Sequence, residues 1–93
     1  MIDFSHANCS KDYKRQMEVC ADVAAQIAAG DDRIIGIMAE SHLQPGRQDH
    51  LPGKPLAYGV SITDACISME QTVPLLQELA AAVRQRRTHA EQR

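Results

Sequence analysis

The run Ile34-Ile35-Gly36-Ile37-Met38-Ala39 is apolar without interruption and ends on Glu40, Ser41 and His42. Uninterrupted runs, as opposed to alternating ones, mark strands buried on both faces of a parallel sheet. A parallel partner has to reach its neighbour by a crossover, and the chain supplies one. Upstream, Ile2-Asp3-Phe4-Ser5-His6-Ala7-Asn8 reads as a short apolar strand that also delivers a polar cluster at its C-terminal end. Helical periodicity lies between the two, and strand, helix, strand over roughly 30 residues is a βαβ unit. Two strands, each followed by a helix and each carrying a metal-type side chain at its exit, suggest part of the mouth of a (β/α) barrel.

Ser10 reads as the N-cap of a first helix running from Lys11 to about Ala29. Tyr13, Met17, Cys20, Ala24 and Ile27 recur at the helical period and form its apolar face, opposite Lys11, Lys14, Arg15, Glu18 and Asp22. Gly30 supplies the stop, and Asp31-Asp32-Arg33 the turn. After the second strand, Leu43 to Val60 holds Pro45-Gly46, Pro52-Gly53, Pro55 and Gly59. A connection so long and so rich in Pro and Gly is uncommon in a compact domain unless it is functional. A last helix is predicted to start near Ser68, where Ser68-x-x-Gln71 makes a capping box. Pro74 argues for the alternative of a start at Thr72. Leu75, Leu76, Leu79 and Val83 form the predicted buried stripe, and the helix is expected to fray into an Arg-rich tail.

Composition narrows the function classes. With 93 residues, 44% of them hydrophobic, and a formal net charge of −2, the chain is one small domain at most. Three aromatics and no Trp leave Ile, Val, Leu, Met and Ala to build the core. Cys9, Cys20 and Cys66 are an odd set with no CxxC spacing and no signal peptide before them, which reads as free thiols in a cytoplasmic protein. No apolar run approaches the roughly 18 residues that span a bilayer. Arg84, Arg86, Arg87 and Arg93 gather at the end of the chain. Without interleaved aromatics they read as a solvated helix end complementing the helix dipole, not a nucleic-acid surface. Neither a nucleic acid nor a membrane is an expected partner.

His6, Glu40 and Asp64 are the residues that carry chemistry. His6 and Glu40 sit one βα repeat apart, and neighbouring parallel strands lie about 4.8 Å from each other, so their C-terminal ends can share an ion. Asp64 ends the long connection, which could fold back over the mouth. An imidazole with two carboxylates suits Mn²⁺, Fe²⁺ or Zn²⁺ and leaves positions open for substrate. Blander readings stand beside this one: His6 as a loop hydrogen-bonder, Glu40 as a strand-ending carboxylate, Asp64 as a helix cap. His42, two positions beyond Glu40, is an alternative ligand, and Cys9 reads as structural.

Asp3-Phe4-Ser5-His6-Ala7-Asn8, Glu40-Ser41-His42-Leu43, Pro55-Leu56-Ala57-Tyr58-Gly59 and Ser61-Ile62-Thr63-Asp64-Ala65-Cys66 together resemble the C-terminal quarter of type I 3-deoxy-D-arabino-heptulosonate 7-phosphate (DAHP) synthase. The resemblance runs from Met1 to about Arg87, and residues 88–93 form an unmatched basic polar tail. It implies an α/β chain made of the last two βα units of a TIM (β/α)₈ barrel, incomplete as given. It implies the activity that opens the shikimate pathway: condensation of phosphoenolpyruvate with erythrose 4-phosphate and release of phosphate. It further implies His6, Glu40 and Asp64 as three of four ligands of a divalent metal ion, Mn²⁺, Fe²⁺ or similar, in a homo-oligomeric parent enzyme. The family's fourth ligand, a cysteine, and most of its phosphate-holding Arg and Lys fall upstream of these segments. Ser68-Met69 stands where the family commonly has a small residue followed by Trp.

Two βα units where a barrel has eight lead to the expectation of a C-terminal portion of the synthase that turns over no substrate by itself. A catalytically inactive relic, or an interaction module pairing with a separate N-terminal portion, is the alternative. A small metal-binding protein is the third reading, weaker because three ligands on a loose scaffold are poorly pre-organised.

Overall fold

The structure is a computed structural model that describes residues 1–6 and 12–91, with side chains as far as residue 88. Ser10 and Lys11, the predicted start of the first helix, lie outside the described residues. The chain is α/β: strand β1 (Ile2–Asp3), helix α1 (Gln16–Ala28), strand β2 (Ile37–Met38) and helix α2 (Met69–Glu91). The strands are parallel, with Ile2 opposite Ile37 and Asp3 opposite Met38. The Ile2 N–H donates to the Gly36 carbonyl at 3.0 Å and the Phe4 N–H to the Met38 carbonyl at 2.8 Å, which fixes the register.

A single 3-10 turn, Tyr13–Arg15, leads into α1, with the Asp12 carboxylate accepting from the Lys14 N–H. The helix ends as its glycine predicts. Gly30 adopts φ 111°, the Gly30 N–H reaches the Ile27 carbonyl and the Asp31 N–H the Gln26 carbonyl. This is a Schellman closure, and it needs the left-handed residue that glycine supplies without strain. Cys20, Ala24 and Ile27 are buried and Tyr13 and Met17 packed against them, as the periodicity predicts.

Helix α2 begins where the capping box puts it. The Gln71 N–H donates to Ser68 Oγ at 3.2 Å and the Ser68 N–H to Gln71 Oε1 at 2.9 Å. Pro74 therefore does not delay the helix to Thr72. It sits further inside, where its missing N–H costs one bond on an exposed face, while the box and the Thr72 N–H to Ser68 carbonyl bond hold the first turn. Nor does the helix stop at the basic residues, since it runs on to Glu91. No helix among the described residues is long and apolar enough to cross a membrane.

One core joins the layers: Phe4, Ile34 and Ile67 meet Cys20, Val23, Ala24 and Ile27 of α1 and Leu75 and Ala82 of α2. Two expectations fail here. Leu76 belongs to the predicted buried stripe but is 54% exposed, and Ala82 takes the buried place one turn beyond Leu79. The second apolar run is not a strand buried on both faces throughout: only Ile37–Met38 of it is strand, both half-buried, and ahead of them Ile34 is buried while Ile35 is 86% exposed. Both helices contribute to the one core, and among the described residues nothing covers Ile35.

The connection from Leu43 to Val60 contains no helix or strand but is not loose. Gln48 Nε2 donates to the carbonyls of Ala57 and Val60, and Gln48 Oε1 accepts from the Ala57 N–H. Arg47 Nε donates to the Thr63 carbonyl at 2.8 Å. These bonds double the segment back toward the strand exits and bring Asp64 with it.

Candidate metal centre

Three elements deliver three side chains to one point. His6 follows β1, Glu40 follows β2, and Asp64 comes from the returning connection. His6 Nε2 lies 3.0 Å from Glu40 Oε1 and 3.2 Å from Asp64 Oδ2. One ligand atom from each residue lies within 4.8 Å of the others. They open onto a cavity of about 300 Å³ whose walls include Tyr13, Gln16 and Arg47.

The spacing tests whether a cation fits. Ligand nitrogens and oxygens sit about 2.0–2.2 Å from a transition-metal ion, so neighbouring ligand atoms in its shell are roughly 3 Å apart. The two His6 contacts have that separation. The donor set, one imidazole and two carboxylates, matches ions of intermediate hardness such as Mn²⁺, Fe²⁺ or Zn²⁺.

Local chemistry determines which imidazole nitrogen faces the cluster. Asp3 Oδ1 accepts from the Ser5 N–H at 2.8 Å and from the Ser5 hydroxyl at 2.5 Å. Having given its proton to Asp3, Ser5 Oγ can only accept from His6 Nδ1, 2.8 Å away. Asp3 Oδ2 lies 3.1 Å from the same nitrogen. Two acceptors at Nδ1 require a proton there, which leaves the Nε2 lone pair for a cation. A carboxylate behind the ligating histidine is the usual way of fixing tautomer and ring orientation. The backbone helps aim the ring, since His6 adopts φ 54°, a left-handed conformation that His tolerates better than most residues.

A proton on Nε2 satisfies the two carboxylates that face it. Hydrogen bonds donated by the ring to Asp3 and then Asp64, with the charge of Glu40, accordingly raise the His6 pKa above its ordinary 6.5. The Ser5 hydroxyl and N–H, and then His6, hold Asp3 below its usual 3.8.

Glu40 is fastened through its main chain. Gln16 is fully buried at the start of α1; its Oε1 accepts from the Glu40 N–H at 2.9 Å and its Nε2 donates to the Glu40 carbonyl at 3.1 Å. That carbonyl also accepts from the Ile67 N–H at 2.9 Å.

The remaining candidates stand apart. His42 Nδ1 accepts from the N–H of its neighbour Leu43, and the imidazole is not among the clustered ligands. Asp64 caps no helix, because Ser68 caps α2. Cys9 lies outside the described residues. Cys20 and Cys66 are buried free thiols, Cys20 raised to about 12 by burial and then by the Glu78 carboxylate, Cys66 raised by burial. Arg86 is engaged within the fold, its Nη1 donating to the Asp31 and Ile34 carbonyls. Sequence reasoning passed over Asp3, Ser5 and Gln16. The first two carry a readable signal, an Asp accepting from the N–H two residues on. Gln16 offered only its place beside the apolar stripe.

Comparison with known proteins places these features in context. The profile of the DAHP synthetase I family matches residues 1–77. Phospho-2-dehydro-3-deoxyheptonate aldolase, Phe-sensitive, from Escherichia coli strain K12 is 63% identical over 87 residues, covering 94% of this chain and 25% of that protein. The corresponding aldolase of Haemophilus influenzae is 60% identical, covering 94% and 24%. The tyrosine-inhibited aldolase of Schizosaccharomyces pombe is 54% identical over 92 residues, with the same coverage. Among solved structures, the phospho-2-dehydro-3-deoxyheptonate aldolase of Francisella tularensis superposes with a TM-score of 0.86 at 49% identity, over 92% of this chain and 25% of that one. The chain thus spans about a quarter of the length of the relatives it matches.

Proposed function

We infer the role of this chain from one premise: it belongs to the DAHP synthetase I family. The reading is that residues 1–87 are the C-terminal part of a (β/α)₈ barrel that condenses phosphoenolpyruvate with erythrose 4-phosphate and releases phosphate, with residues 88–93 a polar tail. Within it, His6, Glu40 and Asp64 hold a divalent metal ion. The observation that carries this is the convergence of those three side chains from separate elements, with Nε2 aimed at both carboxylates.

A cation held there supplies a Lewis acid for the aldehyde oxygen of erythrose 4-phosphate. Asp3 and Ser5 keep the proton of His6 on Nδ1, so that its other nitrogen stays a ligand. Glu40 and Asp64 balance the charge of the ion, and the cavity beside them leaves room for substrate. A two-stranded sheet with Ile35 uncovered supports a surface meant for further barrel strands. With only part of a barrel mouth to position two substrates, the 93-residue polypeptide by itself is expected to show no turnover. The reading places the protein in the cytoplasm, where its substrates are made, in a homo-oligomeric enzyme.

A chimera tests this. Residues 1–87 would replace the matching quarter of the Escherichia coli Phe-sensitive relative, and phosphate release would be followed with both substrates and Mn²⁺. An active chimera that loses activity on His6→Ala, Glu40→Ala or Asp64→Ala is the expected result. A folded chimera whose activity survives all three substitutions would overturn the assignment.

A further inference from the structure

Gln16 is buried completely, yet it is a polar residue at the head of a helix whose neighbours on that face are apolar. A buried amide must find partners for its own donor and acceptor, and this one finds both on a single peptide. Only one orientation of the amide works: its oxygen must meet the Glu40 N–H and its nitrogen the Glu40 carbonyl. The Ile67 N–H holds the same carbonyl from the opposite end of the chain. Glu40 is thereby held on its N–H side by α1 alone, and on its carbonyl side by α1 together with the segment entering α2. Among the described residues no side chain other than Gln16 does both. Gln16 is also among the residues lining the cavity onto which His6, Glu40 and Asp64 open.

We propose that Gln16 is a positioning residue for the cation site: by gripping the Glu40 peptide it sets where the Glu40 carboxylate stands relative to His6 and Asp64. The inference rests on the reading of those three residues as cation ligands. It goes beyond that reading by assigning the precision of the site to a helix residue that never touches the ion. Removing the amide leaves the fold its apolar core but frees the strand exit to rotate, carrying Glu40 Oε1 away from its position 3.0 Å from His6 Nε2. Loss of an outer partner of this kind typically costs about 10- to 100-fold in metal affinity.

The test uses the whole 93-residue chain and Mn²⁺ alone, with bound ion read by electron paramagnetic resonance and the Glu40 amide by hydrogen exchange without metal. Gln16→Met keeps length and helix preference while removing both bonds. Gln16→Asn keeps the amide but falls one methylene short, and serves if the Met variant does not fold. Val23→Ala, which opens a gap in the buried face of α1 away from the site, is the control for general loss of stability. The expected result is Mn²⁺ binding weakened about 10- to 100-fold by Gln16→Met, and less by Gln16→Asn. Val23→Ala should leave affinity unchanged, and Glu40 amide protection should be lost in the Gln16 variants. Wild-type affinity in both Gln16 variants would overturn the proposal, and so would equal weakening by Val23→Ala. If the unsubstituted chain binds no Mn²⁺, the cation reading itself fails and takes the proposal with it, a result the wild-type titration alone reveals.

Discussion

Asp3→Asn changes one atom and should reverse the tautomer of His6. In the native arrangement Asp3 Oδ1 takes two hydrogen bonds from Ser5 and Oδ2 faces His6 Nδ1. An asparagine has one oxygen, and the Ser5 N–H and hydroxyl both demand an acceptor, so the amide oxygen goes to Ser5. Its NH₂ then points at Nδ1, which must become an acceptor, and the ring proton moves to Nε2 where the cation would bind. Flipping the amide instead sets its NH₂ against the Ser5 N–H, donor against donor. Outer carboxylates on metal-bound histidines are worth about 10- to 100-fold in affinity. The Asp3 side chain is 38% exposed, so solvent screening places this variant near the lower end, a loss of roughly 10-fold. Calorimetric titration with Mn²⁺ at pH 7.5 measures the affinity, and the ¹⁵N shifts of the His6 ring identify the tautomer. Undiminished affinity together with a proton still on Nδ1 would refute the reasoning.

Three further outcomes are expected. Leu75→Ala, at a side chain only 1% exposed, should destabilise the fold by about 2–5 kcal/mol in urea unfolding, whereas Leu76→Ala should change stability by no more than about 0.5 kcal/mol. Cys20, its thiol raised to about 12, should resist a thiol reagent at pH 8 until the chain is denatured; rapid native labelling would contradict its burial against Leu75 and Glu78. His6 should titrate above 6.5 by NMR in the metal-free chain. Because its folded pKa is raised, the stability it contributes is complete below 6.5 and disappears as pH rises through the folded value, so a midpoint below 6.5 would contradict the contacts with Asp3 and Asp64.

The clustering of these three side chains could be read from the sequence because strand exits are conspicuous: an apolar run that stops on a charged residue marks where a parallel strand meets solvent. His6 and Glu40 are such stops, and the Pro- and Gly-rich connection announced that something beyond it must fold back, which Asp64 does. The end of α1 and the start of α2 were legible for the same local reasons, since Gly30 and the Ser68–Gln71 box act within a few residues of themselves, whereas α1 starts at Gln16 and not at Lys11 and α2 runs past the Arg residues to Glu91. What escaped depends on distance along the chain. Leu76 lies beside Leu75, and only the direction from which α1 packs decides which of the two is buried. Ile35 looked like the interior of a sheet because the pattern records apolarity and not whether a second layer covers it. Gln16 was invisible as a contributor to the site: its partner, the Glu40 peptide, is 24 residues away and contributes backbone, which carries no sequence signature.

The most direct measurement is a crystal of the chain soaked in Mn²⁺, with an anomalous difference map collected at the manganese edge. One peak is expected within bonding distance of His6 Nε2, Glu40 Oε1 and Asp64 Oδ2 together. A peak at His42 or elsewhere, with those three atoms still hydrogen-bonded to one another around a proton, would contradict a shared cation.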